Sequence, residues 1–172
     1  MIMPRGQPLL LPAKPGFIAL SLVLALVLRM QPWGGEAWLP DVMLLLLGFW
    51  CVHQPLRVGM GWAFLLGLVV DIHQSGLLGL HALLYTGFAF AVLAVNRRLL
   101  WLGVVSQAAH LFPLFAVVHT VEVLMRLALG GVFPGWTVLL PPFLEMALWP
   151  VADWLLLAPQ RRPPVSDDTR PL

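Results

Sequence analysis

The chain has 172 residues, of which 60% are hydrophobic and only 10% are charged, with a mean hydropathy of +0.89. A soluble domain carries roughly 25% charged residues, so this composition argues against a water-soluble fold. The formal net charge of +2 comes from basic residues at the ends of apolar runs. That placement is typical of membrane topology and argues against nucleic acid as a partner, because it forms no continuous phosphate-binding stripe.

Apolar runs between charges and Pro or Gly predict six transmembrane helices, at 16–30, 39–53, 58–71, 77–95, 99–122 and 136–157. The first three are short for a bilayer about 30 Å thick, and the last three are long enough to cross it. No small-x-small cleavage site follows the first run, so we expect a retained helix rather than a signal peptide. The predicted fold is all-α, with one polytopic transmembrane domain over 16–158 and disordered cytoplasmic ends at 1–15 and 159–172.

The positions of the basic residues predict the orientation of these helices. With both termini in the cytoplasm, the inner segments hold Arg5, Lys14, Arg57, Arg97, Arg98, Arg161, Arg162 and Arg170. Only Arg29 and Arg126 then lie outside. The alternative is a re-entrant hairpin over 39–71, which would bury Arg57 in the membrane at a cost of about 2.5 to 3.5 kcal/mol. We therefore favour two full crossings over this segment.

The third predicted helix carries a stripe of small residues that ends in a carboxylate. Gly59, Ala63, Gly67 and Asp71 are spaced by four, so they share one face on which another helix can approach closely. In one interpretation the stripe docks on a partner helix and Asp71 fixes it. In the other the stripe packs against this chain's own helices, and Asp71 caps the turn before the fourth helix. The second interpretation is favoured, because small residues are common at every helix interface in a bilayer.

The turn after Asp71 leads through Gly79 to His81 and Tyr85, which are four apart and share a helix face. An aspartate near two histidines could bind a metal ion, but a metal site needs at least three converging ligands. We therefore predict a hydrogen-bonded structural turn, with no metal.

An outer polar cluster is predicted from the fifth and sixth helices. His119, Glu122 and Arg126 are spaced three and four apart, so they form one polar face near the outer surface. A solvated outer helix end is the favoured interpretation of this face, and a functional cluster is the alternative. Glu145 would lie about 10 Å deep in the membrane. A buried carboxylate requires a partner, and His119, His110 and Arg126 are the candidates.

Signatures of catalysis are missing from the chain. The sequence contains no H-E-x-x-H pair, no G-x-S-x-G elbow and no phosphate-binding loop. We predict no catalytic residues and no cofactor. Cys51, the one cysteine, is interpreted as a packing residue.

The stretch from Pro55 to Asp71 (PLRVGMGWAFLLGLVVD), followed by Leu78 to Tyr85 (LGLHALLY), resembles the MreD family of rod shape-determining proteins. The resemblance implies a non-enzymatic inner-membrane subunit of the bacterial elongation machinery. Its implied partners are the bitopic protein MreC and, indirectly, the MreB filament and RodA with its transpeptidase. The implied fold is similar to the six-helix substrate-binding components of vitamin transporters. The positions that match the family pattern are Pro55, Gly59, Gly67, Asp71, Gly79, His81 and Tyr85.

Two functional hypotheses follow. In the first, a helix of MreC packs in the bilayer against the small-residue face of the third helix, and the outer polar cluster orients it. In the second, the chain is a transporter-like binder of a small molecule or lipid intermediate. Its pocket would lie among helices 3, 5 and 6 and be lined by Asp71, His119, Glu122 and Glu145.

Overall fold

A computed structural model describes residues 13–31, 38–74 and 77–160, and these residues form six α-helices and no strand. The helices are α1 (Pro15–Met30), α2 (Val42–His53), α3 (Met60–Gln74), α4 (Leu80–Leu99), α5 (Val104–Ala128) and α6 (Leu140–Leu157). A short 3-10 turn, Trp136–Leu139, leads into α6, and another, Ala158–Gln160, follows it. The predicted all-α fold is confirmed. Most of residues 1–15 and 159–172, predicted to be disordered, lie outside the described residues.

Helices α4 and α5 lie several residues further along the chain than predicted. Helix α4 begins after Gly79, whose φ of +97° suits a glycine, and it includes Arg97 and Arg98 in its last turn. The predicted helix ends at residue 95, with this basic pair in the turn that follows it. Cations near a helix C-terminus instead offset its dipole, so the pair extends the helix.

The helices fall into a short and a long set, as the sequence predicts. Helices α4 and α5 and the segment 136–160 are long and apolar enough to cross a membrane. Helices α1, α2 and α3 have 16, 12 and 15 residues. At a rise of about 1.5 Å per residue, these span about 24, 18 and 22 Å.

Helix α2 is the centre of the bundle. It packs against α1, α4 and α6, and most of its residues are buried, with Leu47, Phe49 and Trp50 fully so. A helix that is apolar on every side belongs in the interior. Cys51 lies in this core with no exposed surface, which confirms its interpretation as a packing residue.

The bundle has two chemically different ends. At one, the Arg57 end, Arg57 Nη1 donates to the Ala13 carbonyl at 2.7 Å, and His53 Nε2 lies 3.6 Å from Asp153 Oδ1. At the other, the Asp41 end, Asp41 lies 3.4 Å from Arg29. Helices α1, α2 and α3 each run from one end to the other. The Asp41 end collects most of the buried ionisable side chains and is the candidate site.

Candidate functional site

Asp71 caps α4 and joins it to α3. Its Oδ2 accepts hydrogen bonds from the backbone N–H groups of Gly79 at 3.0 Å and Ala82 at 3.1 Å. Its Oδ1 accepts from the His81 backbone N–H at 2.8 Å and from His81 Nδ1 at 2.9 Å. The first N–H groups of a helix have no partner within the helix, so one carboxylate satisfies several donors that burial would otherwise leave unpaired.

The small-residue stripe of α3 faces α4. A Cβ added at Gly67 would lie 2.5 Å from the His81 carbonyl oxygen and 2.6 Å from Ala82 Cα. Ala63 is fully buried. Gly59 lies at the edge of this contact, where a Cβ would meet Leu93 at 3.9 Å. This face is therefore occupied by α4. The alternative interpretation, in which a helix of another protein docks at Gly67, is wrong, because α4 of this chain already occupies that position.

His81 connects the α3–α4 turn to α1 and α5. The carboxylate of Asp71 only accepts, so His81 Nδ1 carries a proton and donates it. On the other side of the ring, Nε2 lies 3.4 Å from Arg29 Nη2 and 3.6 Å from Glu122 Oε1. The rings of His81 and Tyr85 meet in a T-shaped arrangement, with centroids 5.8 Å apart. The shared face of His81 and Tyr85 therefore points into the bundle.

Asp41 is the N-cap of α2 and the partner of α4 and α1. Its Oδ1 accepts from the backbone N–H groups of Met43 and Leu44, at 3.0 and 3.1 Å. Its Oδ2 accepts from the Tyr85 hydroxyl at 2.5 Å and lies 3.4 Å from Arg29 Nε. The predicted second helix begins at residue 39, and Asp41 is not among the predicted site residues. An aspartate just before an apolar run is the signal that could have identified the cap.

Glu145 is the most deeply buried carboxylate, with no exposed surface. Its Oε1 accepts from His119 Nε2 at 2.8 Å and from the Asp41 backbone N–H at 2.9 Å, while Oε2 has no hydrogen-bond partner. His119 is thus the one of the three candidate partners that reaches Glu145. His110 is exposed and bonds to the Ser106 carbonyl oxygen.

Glu122 contacts both Arg126 and His119. Its Oε1 accepts from Arg126 Nη2 at 2.7 Å, and its Oε2 lies 3.8 Å from His119 Nδ1. Arg126 Nη2 also lies 3.4 Å from Gln74 Oε1. Glu122 therefore connects the buried part of the site to the exposed guanidinium of Arg126.

These contacts form one polar cluster to which every one of the six helices contributes. Its members are Arg29, Asp41, Asp71, His81, Tyr85, His119, Glu122, Arg126 and Glu145. Four carboxylates, two arginines and two histidines meet here, and buried charges persist in proteins when they are paired in this way. Arg29 and Asp41 are the members that sequence reasoning missed, because helix spacing does not show which helix ends meet. Pro55 lies away from the cluster, in the turn between α2 and α3.

The buried part of the cluster, around His119 and Glu145, offers little room for a ligand. The carboxylates pair with residues of neighbouring helices, and Glu145 is sealed off. A cleft of about 410 Å³ opens beside the cluster, and Asp71, His81 and Arg126 are among its lining residues, but His119, Glu122 and Glu145 are not. In the described ranges, no three His, Cys, Asp or Glu side chains are placed so that they could hold a metal ion.

A second feature of note is the exposed face of α4. Leu83, Gly87, Phe90 and Ala94 follow helical spacing and are all exposed; we call this face the α4 outer stripe. A Cβ added at Gly87 would meet nothing within 4 Å. Helix α4 packs on α2, α3 and α5 with its remaining surface. A small residue in the middle of an exposed apolar face permits close approach of another helix.

Comparison with known proteins identifies relatives of the chain. The family model described as rod shape-determining protein MreD matches residues 13–157. The rod shape-determining protein MreD of Haemophilus influenzae is 30% identical over 141 residues, which cover 78% of this chain and 83% of the relative. No solved structure matches the chain.

Proposed function

Because this chain belongs to the MreD family of rod shape-determining proteins, with a role in cell shape, we propose that it is a non-catalytic subunit of the rod complex that binds MreC. Through MreC it would connect indirectly to MreB and to RodA and its transpeptidase. One observation carries the proposal. The ionisable side chains of the polar cluster are paired within the bundle, whereas the α4 outer stripe is exposed and centred on a glycine.

We propose that the protein lies in the bacterial inner membrane with six crossings and with the Arg57 end in the cytoplasm. The bond from Arg57 to the Ala13 carbonyl puts the α2–α3 turn level with the start of α1. The contact between His53 and Asp153 puts the same end level with the C-terminal half of α6. These levels favour two crossings by α2 and α3 over a shallow re-entrant hairpin. Basic residues at this end agree with the excess expected in cytoplasmic loops.

The proposed contact with MreC is a helix in the bilayer packed on the α4 outer stripe. Lipid is as apolar as a leucine side chain, so helices associate in membranes through close packing rather than through burial of apolar surface. Gly87 offers such an approach, and the flanking Leu83 and Phe90, which are 68% and 62% exposed, supply side chains to pack around it. The polar cluster lies on the opposite side of α4 and holds this helix in position, because His81 and Tyr85 bond it to α1, α2 and α3.

Co-purification of MreC with variants of the full chain tests this proposal. Gly87→Leu should reduce the recovered MreC by roughly tenfold, which corresponds to about 1.4 kcal/mol. Gly61→Leu is the matched control, since Gly61 is also an exposed helical glycine with nothing within 4 Å of an added Cβ. Equal recovery of MreC with both variants would refute the assignment of this surface.

Photocrosslinking locates the partner independently. A photoreactive residue at Phe90 should capture MreC, and one at Val105, an exposed position on α5, should capture lipid. Capture of MreC at Val105 alone would move the interface to α5. If neither position captures protein and a small molecule co-purifies instead, the transporter-like hypothesis should replace the present one.

A further inference from the structure

At the Arg57 end, a groove of about 260 Å³ runs between α1 and α3. Its walls are almost entirely apolar, with Ile18, Ala19 and Leu22 on one side and Val58 and Trp62 on the other. The other two lining residues, Pro15 and Arg57, are both exposed, and we call the part of the groove beside them its mouth. No residue of this groove belongs to the polar cluster or to the α4 outer stripe, so the proposed function leaves the groove unexplained.

The groove has a charged mouth and a deep apolar interior. Leu22 lies seven residues after Pro15 in α1, which at about 1.5 Å per residue is roughly 10 Å further into the membrane. Ile18, Leu22 and Val58 form a buried floor, whereas Trp62 is 48% exposed along one wall. The groove can therefore take the first part of an acyl chain, while a group at its mouth stays at the membrane surface.

Arg57 is held in place at this mouth. Its Nη1 donates to the Ala13 carbonyl at 2.7 Å, and its backbone N–H donates to the Gln54 carbonyl at 3.0 Å. Arg57 is exposed, and its guanidinium carries further N–H donors besides the one that bonds to Ala13. Lys14, the N-cap residue of α1 and also exposed, is the neighbour of Ala13 in the chain. Two cations thus stand close to the point where the apolar groove opens.

Acidic groups that would oppose an anion lie elsewhere. Among the described residues, the carboxylates of the polar cluster are at the opposite end of the bundle. Asp153 shares the Arg57 end, but it lies on α6 and faces His53 on α2. Charge complementarity therefore favours an anionic group at the mouth of the α1–α3 groove.

We propose that this groove binds an anionic phospholipid of the cytoplasmic leaflet, with its phosphate at Arg57 and Lys14 and an acyl chain along Ala19 and Trp62. Basic pockets between transmembrane helices on the cytoplasmic side bind anionic lipid headgroups in this way. The leaflet assignment rests on the orientation given under the proposed function. The binding itself rests on the groove. An anionic lipid here would brace α1 against α3 from outside the core.

The experiment compares lipids retained by the purified full chain, counted by native mass spectrometry in micelles containing phosphatidylglycerol and phosphatidylethanolamine. The wild type should prefer phosphatidylglycerol. Arg57→Gln should reduce this preference roughly fivefold, the factor that corresponds to about 1 kcal/mol per basic residue at an anionic surface. Arg57→Lys should retain most of it. Arg97→Gln, which removes an exposed charge at the α4 C-terminus, is the matched control and should retain the preference.

A second variant tests the groove without changing any charge. Ala19→Trp should displace the acyl chain and lower the retained phosphatidylglycerol, with the unfolding temperature compared in lipid-free detergent to verify folding. Equal effects of Arg57→Gln and Arg97→Gln would overturn the proposal, because they would show general surface electrostatics. Normal lipid retention by Ala19→Trp would also overturn it. None of these readouts involves MreC, so failure here is distinguishable from failure of the proposed function.

Discussion

Replacing Asp71 by alanine should strongly destabilise the protein, because this carboxylate joins α3 to the start of α4. The substitution removes four hydrogen bonds, three from backbone N–H groups at the start of α4 and one from the His81 ring. Hydrogen bonds between helices in membranes average about 0.6 kcal/mol, and those to charged groups in proteins reach about 1.5 kcal/mol or more. Four such bonds correspond to a loss of roughly 2.5 to 6 kcal/mol in the free energy of unfolding.

Equilibrium unfolding in mixed micelles, followed by circular dichroism, measures this loss. Asp71→Asn retains one accepting oxygen but turns an amide NH₂ towards buried donors, so an intermediate loss is expected. Thr120→Ala is the control, since the Thr120 hydroxyl is exposed and bonds only to the Ala116 carbonyl of its own helix. Its effect should stay within about 0.5 kcal/mol. A loss below about 1 kcal/mol for Asp71→Ala would refute the assignment of Asp71 as the connection between α3 and α4.

The same unfolding assay tests three further expectations. Gly67→Ala should lower the free energy of unfolding by about 1 to 3 kcal/mol, because the new Cβ would lie 2.5 Å from a backbone oxygen of α4. Gly87→Ala, the control, should be neutral or slightly stabilising. Equal effects of the two variants would contradict the packing of α3 on α4. Tyr85→Phe should cost about 1 to 3 kcal/mol, since it removes the buried hydroxyl that donates to Asp41; wild-type stability would show that this bond contributes little. Trp149→Ala should cost about 3 to 5 kcal/mol, because Trp149 is fully buried in the core, and a loss under about 1 kcal/mol would count against that placement.

Interactions along one helix or through one turn could be predicted from the sequence. The 3.6-residue repeat places Glu122 and Arg126 on one face, and they form the expected pair at 2.7 Å. Asp71 and His81 flank a short turn, so their contact is local in the sequence. Apolar runs likewise predict six helices and their short and long sets, because span length is a local property.

Contacts between helices distant in sequence were decided only by the tertiary structure. Arg29 and Asp41 have no local pattern that links them to Tyr85 or Glu145, yet all four meet once α1, α2, α4 and α6 are side by side. The same holds for the glycines. Gly67 and Gly87 look alike in sequence, but one faces α4 at contact distance and the other faces outward. The sequence by itself determines how many helices form, roughly where they lie and which residues share a face, because these follow from apolar runs and the helical repeat. Which face meets a neighbour depends on how all six helices pack.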